Sequence, residues 1–329
     1  MPAVELTVLV VTYDHADYIE TAIDSVLLQE TEFDYEVIIS EDCSTDGTTE
    51  IVKQLAASHP DRIRLLLSER NLNDNSVVRR GLEAARGRYV ALLDGDDFWT
   101  AKTKLQQQFE FLEAHPGCSS CFHNVNVIYE QDGTAPHLFN QDELPRDVGA
   151  PKPKPISTLA DIVRGDFIPS CSVVFRSEIG RELPSWFDEL WAGDWVLHVL
   201  SAQHGDIAYL DEVMGTYRVH PDGFWSMNWS KYRRLSDVEE VIRTYDTFNR
   251  HLGFSFNREI ETEAAALYQV AAIGFYKRGE YQVARVCARR CLRRVPIGRW
   301  HQRWKALAVV ALSGLKSLAL PRRSPERRH

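Results

Sequence analysis

Apolar residues follow two rhythms along the first hundred positions. Leu6–Thr12 (LTVLVVT), Tyr35–Ser40, Ile63–Ser68 and Tyr89–Leu93 are short, nearly continuous apolar runs rich in Val, Ile and Leu, the pattern of strands buried on both faces. Between them, Tyr18–Gln29 carries Ile19, Ile23, Val26 and Leu27 on one face, and Thr48–Ser58 and Val77–Ala85 repeat apolar positions at helical spacing. Strands alternating with such helices predict crossover units, and so an α/β fold with a mostly parallel, Rossmann-like sheet sandwiched by helices.

In a sheet of this kind ligands bind beyond the carboxyl ends of the strands. The chain puts its polar residues there: Thr12, Tyr13 and Asp14 follow the first run, Glu41 and Asp42 the second, Glu69 and Arg70 the third, and Asp94, Gly95, Asp96 and Asp97 the fourth. Regularity dissolves between Glu130 and Pro155, where the sequence ends in PKPKP and predicts a surface loop. It resumes with a helix over Thr158–Arg164, a strand over Cys171–Phe175, a helix over Gly193–His204, an extended segment or strand pair over Ala208–Tyr217 and a helical region over Tyr232–Leu252. Arg258–Val295 predicts a helical hairpin turning at Gly279, with small and large residues spaced as in a single tetratricopeptide unit.

The last segment changes the charge picture. Lys277–His329 holds 15 Lys/Arg against Glu280 and Glu326, which leaves the remainder of the chain strongly acidic under a formal net charge of −9. Within it, Ala306–Leu315 is apolar, is bounded by Lys305 and Lys316, and is about half the length that crosses a bilayer. Trp300 and Trp304 lie at one end and Arg322, Arg323, Arg327 and Arg328 at the other, which predicts an amphipathic helix lying on anionic lipid. A C-terminal helix packed on the protein with a solvated basic tail is the plainer reading. The arginines interleave with an apolar face and not with a stacking aromatic array, so nucleic acid is not the expected partner.

The six cysteines follow no disulfide-scaffold spacing and predict reduced thiols; Cys118 and Cys121 form a CxxC with no second pair at zinc-site spacing. The N-terminal run lacks a basic n-region and a small-residue cleavage site, which predicts a cytoplasmic chain.

Candidate chemistry centres on Asp94-Gly95-Asp96-Asp97, several carboxylates held by a buried strand at the ligand edge of the sheet. Hard oxygen ligands in that setting suit Mg²⁺ or Mn²⁺. No Gly-rich Walker loop and no GxGxxG follows the first strand, so a bound phosphate would depend on a cation for neutralisation.

The segments VLVVTYDHADYIETAIDSVLLQ, YEVIISEDCSTDGT, SERN and RGLEAARGRYVALLDGDDFW, in this order, resemble the nucleotide-sugar half of family 2 glycosyltransferases of the GT-A fold. LWAGDW and Tyr217-Arg218-Val219-His220 are similar to that family's acceptor-side motifs and extend the resemblance to about residue 230. It implies a GT-A domain over residues 1–230, with a nucleotide-sugar half over 1–110 and an acceptor half over 111–230, followed by a helical region over 231–298 and a basic tail over 299–329.

Residue by residue, the resemblance implies that Thr12, Tyr13 and Asp14 meet the nucleotide, that Asp42 accepts a hydrogen bond from the base, and that Arg70 flanks the base or the phosphates. Asp94 and Asp96 match the DXD motif and, with Gly95, face the donor. Asp94, Asp96, Asp97 and His220 are the implied metal ligands for Mn²⁺ or Mg²⁺. Asp194 is the implied general base; on the residues alone an Asp at the head of a helix reads as an N-cap. Gly193 departs from the family, whose members often carry an acidic pair here. Trp191, Trp195 and Trp225, with Trp186, Phe224 and Trp229, form a candidate stacking surface for the acceptor, although Trp also fills cores. The implied reaction is an inverting, non-processive transfer from a nucleoside-diphosphate sugar, by family default a UDP-sugar, to a glycan or lipid-linked acceptor at the cytoplasmic face of a membrane. The QxxRW signature of processive synthases is missing. Two other classes compete: a nucleotidyltransferase, which would want Gly, Arg or Lys in residues 12–20, and a non-catalytic nucleotide-sugar-binding or scaffold protein.

Overall fold

The computed structural model describes residues 4–130, 133–139, 152–221, 223, 234–296 and 300–319. The chain forms two compact units, one reaching to about residue 227 and the other beginning at about residue 228.

The first unit is built on one sheet. Strands β1 (Leu6–Thr12), β2 (Tyr35–Glu41), β3 (Ile63–Leu67) and β4 (Tyr89–Asp94) alternate with helices α1 (Ile19–Leu27), α2 (Thr48–Ser58) and α3 (Ser76–Ala84). All seven residues of β2, and all of β1 except Val11, are buried, as expected of strands covered on both faces. Helix α1 buries Ile19, Ala22, Ile23 and Val26 completely. The expected bounds of β1 and α2 match those observed, and those of β2, β3, α3 and β4 differ by a residue.

Beyond β4 come β5 (Phe98–Trp99), α4 (Lys104–Ala114), β6 (Cys118–Tyr129), β7 (His137–Leu138), β8 (Ile156–Ser157), α5 (Leu159–Ile162), β9 (Val174–Arg176), α6 (Glu178–Arg181), α7 (Gly193–Ala202) and β10 (Asp206–Val219). The sheet runs β3-β2-β1-β4-β9-β6-β10-β5, with β7 beside β6 and β8 beside β10. The β1–β2, β2–β3, β1–β4 and β6–β10 pairings are parallel, whereas β9 lies antiparallel between β4 and β6.

One expectation is corrected here, and the open alternative at Ala208–Tyr217 resolves to the extended segment. The strand expected over Cys171–Phe175 is a 3₁₀ turn, Ser170–Ser172, followed by the three-residue β9; the Ser172 hydroxyl donates to Pro169 O (2.6 Å) and holds that turn. The extended segment near Ala208 is a single strand whose register shifts between Leu210 and Val213 and again between Val213 and Gly215. Such bulges bend a strand without ending it.

Lys104 heads α4 fully buried, its Nζ 3.9 Å from the centre of the Trp99 ring. Burial pushes its ammonium down to about 7, against an opposite pull from the thiols of Cys121 and Cys171. An unfolded lysine titrates near ~10.4 and so holds a proton that the folded one sheds from about pH 7 upward. The penalty is therefore complete below pH 7 and fades as the pH rises towards 10. Lys104→Met removes it, so the gain in melting temperature over wild type is expected to be larger at pH 6 than at pH 9.5; equal gains at both would contradict the account.

The six cysteines carry no disulfide. The second unit contains helices α8 (Leu235–His251), α9 (Asn257–Lys277), α10 (Tyr281–Arg294) and α11 (Trp300–Ala319). Gly279 takes φ of +82° at the turn between α9 and α10, a left-handed conformation that favours glycine. The hairpin core joins Ala264, Leu267, Ala271 and Phe275 to Ala284, Cys287, Ala288 and Cys291. Arg294 closes it with a two-pronged bond to Asp246 (2.8 and 2.7 Å) and a third bond to Glu261 (3.2 Å).

Candidate active site

Strand order places the site. From β1 the sheet steps to β2 and β3 on one side and to β4 on the other, so the crevice beyond the carboxyl ends of β1 and β4 lies at a topological switch point. Val11 and Asp94 are register partners there, and Gly95 N–H donates to Val11 O (2.9 Å).

A cleft of about 250 Å³ opens at this point, with Asp94, Asp96, His15, Trp191, Asp194 and Arg218 among its lining. Asp94 accepts a hydrogen bond from the Ser170 hydroxyl. Burial and the carboxylate of Asp96 push Asp94 up to about 7, with a smaller push from Asp194 and an opposing one from the Ser170 bond. Asp96 goes the other way. Burial disfavours its charge, but His15 and His220 beside it outweigh that and hold the carboxyl below its usual range.

Asp96 sits between two imidazoles. His220 Nε2 is 3.0 Å from Asp96 Oδ2 and His15 Nε2 is 3.7 Å from the same oxygen. One donor atom from each of the three lies within 4.8 Å of the others, the one group among the described residues with that spacing and those ligand types. Tyr18 packs on the His220 ring, with centroids 4.6 Å apart. Asp97 stands apart from this group. It is buried, and its Oδ1 accepts the Arg218 backbone N–H (2.8 Å). Burial, then Asp96 and Asp94, push its carboxyl well above the ordinary range.

Asp194 lies one residue inside α7 and is not its N-cap, a position held by Ala192. Its Oδ1 accepts the Trp195 backbone N–H (2.8 Å), and the positive end of the helix favours its charge. Gly193 has a local reason. A Cβ there would come within 2.4 Å of Asn75 Oδ1, because the Asn75 amide reaches over to donate to Phe187 O (3.1 Å) and to Leu190 O. Side-chain bulk at 193 is incompatible with that bridge.

Of the expected nucleotide contacts, Thr12, Tyr13, Asp14, Asp42 and Arg70 are not in the lining of this cleft. Thr12 is buried, with Oγ1 3.3 Å from His15 Nδ1, and Tyr13 is 39% exposed. Asp14 takes φ of +52° and accepts from Thr45 N–H (2.7 Å), which ties the loop after β1 to the loop after β2. The Asp42 carboxylate accepts from Ser68 Oγ (2.8 Å) and from the Leu72 and Asn73 N–H groups, so it anchors the loop that carries the exposed Arg70. A Cβ on Gly95 would meet Thr12 Oγ1 at 2.6 Å and His15 Nδ1 at 2.8 Å.

Trp191 lines the cleft, but the acceptor-side expectation for Trp195 is corrected. It is 2% exposed and its indole N–H donates to Ile162 O (2.8 Å), which makes it a core residue between α7 and α5. Trp225, with Phe224 and Trp229, lies outside the described residues. Sequence reasoning passed over His15, Asn75 and Ser170. His15 stood within a quoted motif, yet only its approach to Asp96 gives it a role.

A parallel sheet with its carboxylates at the β1/β4 switch point, followed by an antiparallel strand and a second parallel pair, is the GT-A arrangement. Residues 7–178 match the family described as glycosyl transferase family 2, and the chain belongs to that family. An uncharacterized protein of Mycobacterium tuberculosis (strain H37Rv) is 36% identical over 234 residues, 70% of this chain and 63% of that protein. The chain thus spans less than two thirds of the length of this mycobacterial relative. TuaG of Bacillus subtilis, named as a candidate teichuronic acid biosynthesis glycosyltransferase, is 31% identical over 240 residues, 72% of this chain and 88% of TuaG. Among solved structures, Staphylococcus aureus TarS 1-349 in complex with UDP-GlcNAc aligns with a TM-score of 0.59 at 18% identity, over 95% of this chain and 91% of that one. The mannosyltransferase PcManGT of Pyrobaculum calidifontis, in complex with GDP-Man and Mn²⁺, aligns with a TM-score of 0.54 at 18% identity, over 96% and 87%. At that identity the two structures speak for the fold.

Proposed function

We propose that the protein transfers one sugar at a time, with inversion, from a nucleoside-diphosphate donor to a hydroxyl of a glycan or lipid-linked acceptor in cell-surface polysaccharide synthesis. The observation that carries this reading is the meeting of Asp94, Asp96 and Asp194 in one cleft at the β1/β4 switch point. TuaG's naming for teichuronic acid biosynthesis supports the acceptor class, and the UDP-GlcNAc and GDP-Man in the neighbouring structures support the donor class.

Asp96 and His220, with Asp94 at the cleft wall, fit a Mn²⁺ or Mg²⁺ ion by donor type and spacing. A cation bound there supplies Lewis-acid stabilisation of the departing diphosphate. The chain's own groups do the remaining work. Asp194, at the head of α7, takes the proton of the attacking hydroxyl. Trp191 presents an aromatic edge to the acceptor, and Asp97 braces the strand that carries His220 through the Arg218 amide. The loop bearing Arg70, held by Asp42, covers the nucleotide.

Calorimetric titration with UDP, GDP, CDP and their sugars in the presence of Mn²⁺ tests the donor class. Micromolar to millimolar binding of one base series is expected; no binding by any sugar nucleotide would sink the reading.

Membrane docking belongs to the same proposal. On α11, Trp304 (67% exposed), Leu307 (44%) and Leu312 (47%) share an outward face, while Ala306 and Val309 on the other side are buried. On α10, Arg285, Arg289 and Arg293 recur every four residues, with no carboxylate partner among the described residues. An exposed apolar face on one helix and a cationic stripe on the helix before it suit an anionic bilayer surface. No helix among the described residues is long and apolar enough to cross a membrane. Partitioning onto vesicles containing phosphatidylglycerol is expected to fall about tenfold in a Trp304→Ser, Leu312→Ser double variant, and to vanish on deletion of residues 299–329. Unchanged partitioning in both would remove the membrane from the account.

A further inference from the structure

The cation site contains a residue that the DXD motif does not supply. We propose that His15 is a third protein ligand, so that two imidazole nitrogens and one carboxylate hold the ion and select Mn²⁺ over Mg²⁺; this rests on the metal-dependent reading above. Neighbouring donors around a six-coordinate ion of this size stand about 3 Å apart. His220 Nε2 at 3.0 Å and His15 Nε2 at 3.7 Å from one Asp96 oxygen set each imidazole near that spacing from the carboxylate, and all three donors lie within 4.8 Å of one another.

Three independent features seat His15. Its backbone N–H donates to Thr48 Oγ1 (2.8 Å), and its carbonyl accepts the Tyr18 and Ile19 amides that open α1 (2.9 Å each). Thr12 Oγ1 lies 3.3 Å from Nδ1, and a proton on that nitrogen leaves the Nε2 lone pair facing Asp96. Gly95 leaves the ring its space, since any Cβ there would press on His15 Nδ1 at 2.8 Å. An exposed loop histidine without a task would need none of these. The donor set sets the selectivity, because Mn²⁺ gives up water for an imidazole nitrogen more readily than Mg²⁺, which dehydrates reluctantly and keeps oxygen ligands.

The experiment binds Mn²⁺ to the full chain, alone and with UDP, and reads pulsed electron paramagnetic resonance for ¹⁴N coupling in wild type, His15→Ala, His15→Gln and His220→Ala. Two imidazole couplings are expected in wild type and one in each variant. Mn²⁺ affinity should drop at least tenfold in both His15 variants, with the Mn²⁺ over Mg²⁺ preference shrinking alongside, while melting of the metal-free proteins stays within a few degrees. A single coupling in wild type, unchanged by His15→Ala, overturns the proposal. If that result comes with intact Mn²⁺-dependent release of nucleoside diphosphate, the transferase reading survives and only the ligand assignment falls.

Discussion

Asp194→Asn is expected to lower turnover at saturating donor by about 10²–10⁴-fold, the range for loss of a positioned general base. The amide keeps the size of the side chain, and its oxygen still accepts the Trp195 N–H that the carboxylate accepts at 2.8 Å, so the head of α7 stays in place. What disappears is the basic oxygen. Nucleoside-diphosphate affinity and melting temperature should therefore remain near wild type, with the loss confined to kcat. Retention of more than a third of wild-type turnover would move the base to another residue.

The second large effect separates the neighbouring acids of the Asp94–Asp97 cluster. Asp96→Asn removes the charge that lies between His15 and His220, and both Mn²⁺ affinity and metal-dependent turnover are expected to drop at least a hundredfold (about 2.7 kcal/mol). Asp97→Asn should be far milder. Its Oδ1 serves as an acceptor for the Arg218 backbone amide, and an amide oxygen fills that place equally well. Metal titrations of the two variants side by side decide the matter; the reverse order would put Asp97 on the cation.

Much of the first unit is legible in the sequence because β1, β2 and β4 are continuous apolar runs and α1 to α3 have a clear apolar face. The signal fails where burial and polarity part company. Strand β6 reads CSSCFHNVNVIY, and its buried Ser119 donates to the distant Gly205 O while its buried Asn124 accepts the neighbouring Val125 amide. Helix α4 buries Lys104 and Gln108 on its inner face, Gln108 bridging Cys121 O (3.1 Å) and Ser172 O (3.0 Å). No apolar period marks such segments. For the site, residue type pointed to the acids of the Asp94–Asp97 cluster and the family resemblance to His220 and Asp194; Asp96 and Asp194 line one cleft, and His220 reaches Asp96 at 3.0 Å. Residue type did not distinguish Trp191 from Trp195, because the burial of Trp195 depends on α5 packing behind α7, whereas Trp191 stands before that helix at the cleft. His15 and Ser170 depend on contacts across 81 and 76 positions of chain respectively, beyond the reach of any local pattern.

The central claim is that this cleft releases a nucleoside diphosphate from a sugar donor under the control of a divalent cation. Its most direct test mixes the purified chain with Mn²⁺, a panel of UDP-, GDP-, CDP- and TDP-sugars and crude glycan or lipid acceptors, and follows nucleoside diphosphate release with EDTA and Asp194→Asn controls. The account predicts release from one donor class, abolished by EDTA and by the substitution. Release that persists in EDTA and in Asp194→Asn, or none from any donor with acceptors present, would contradict it.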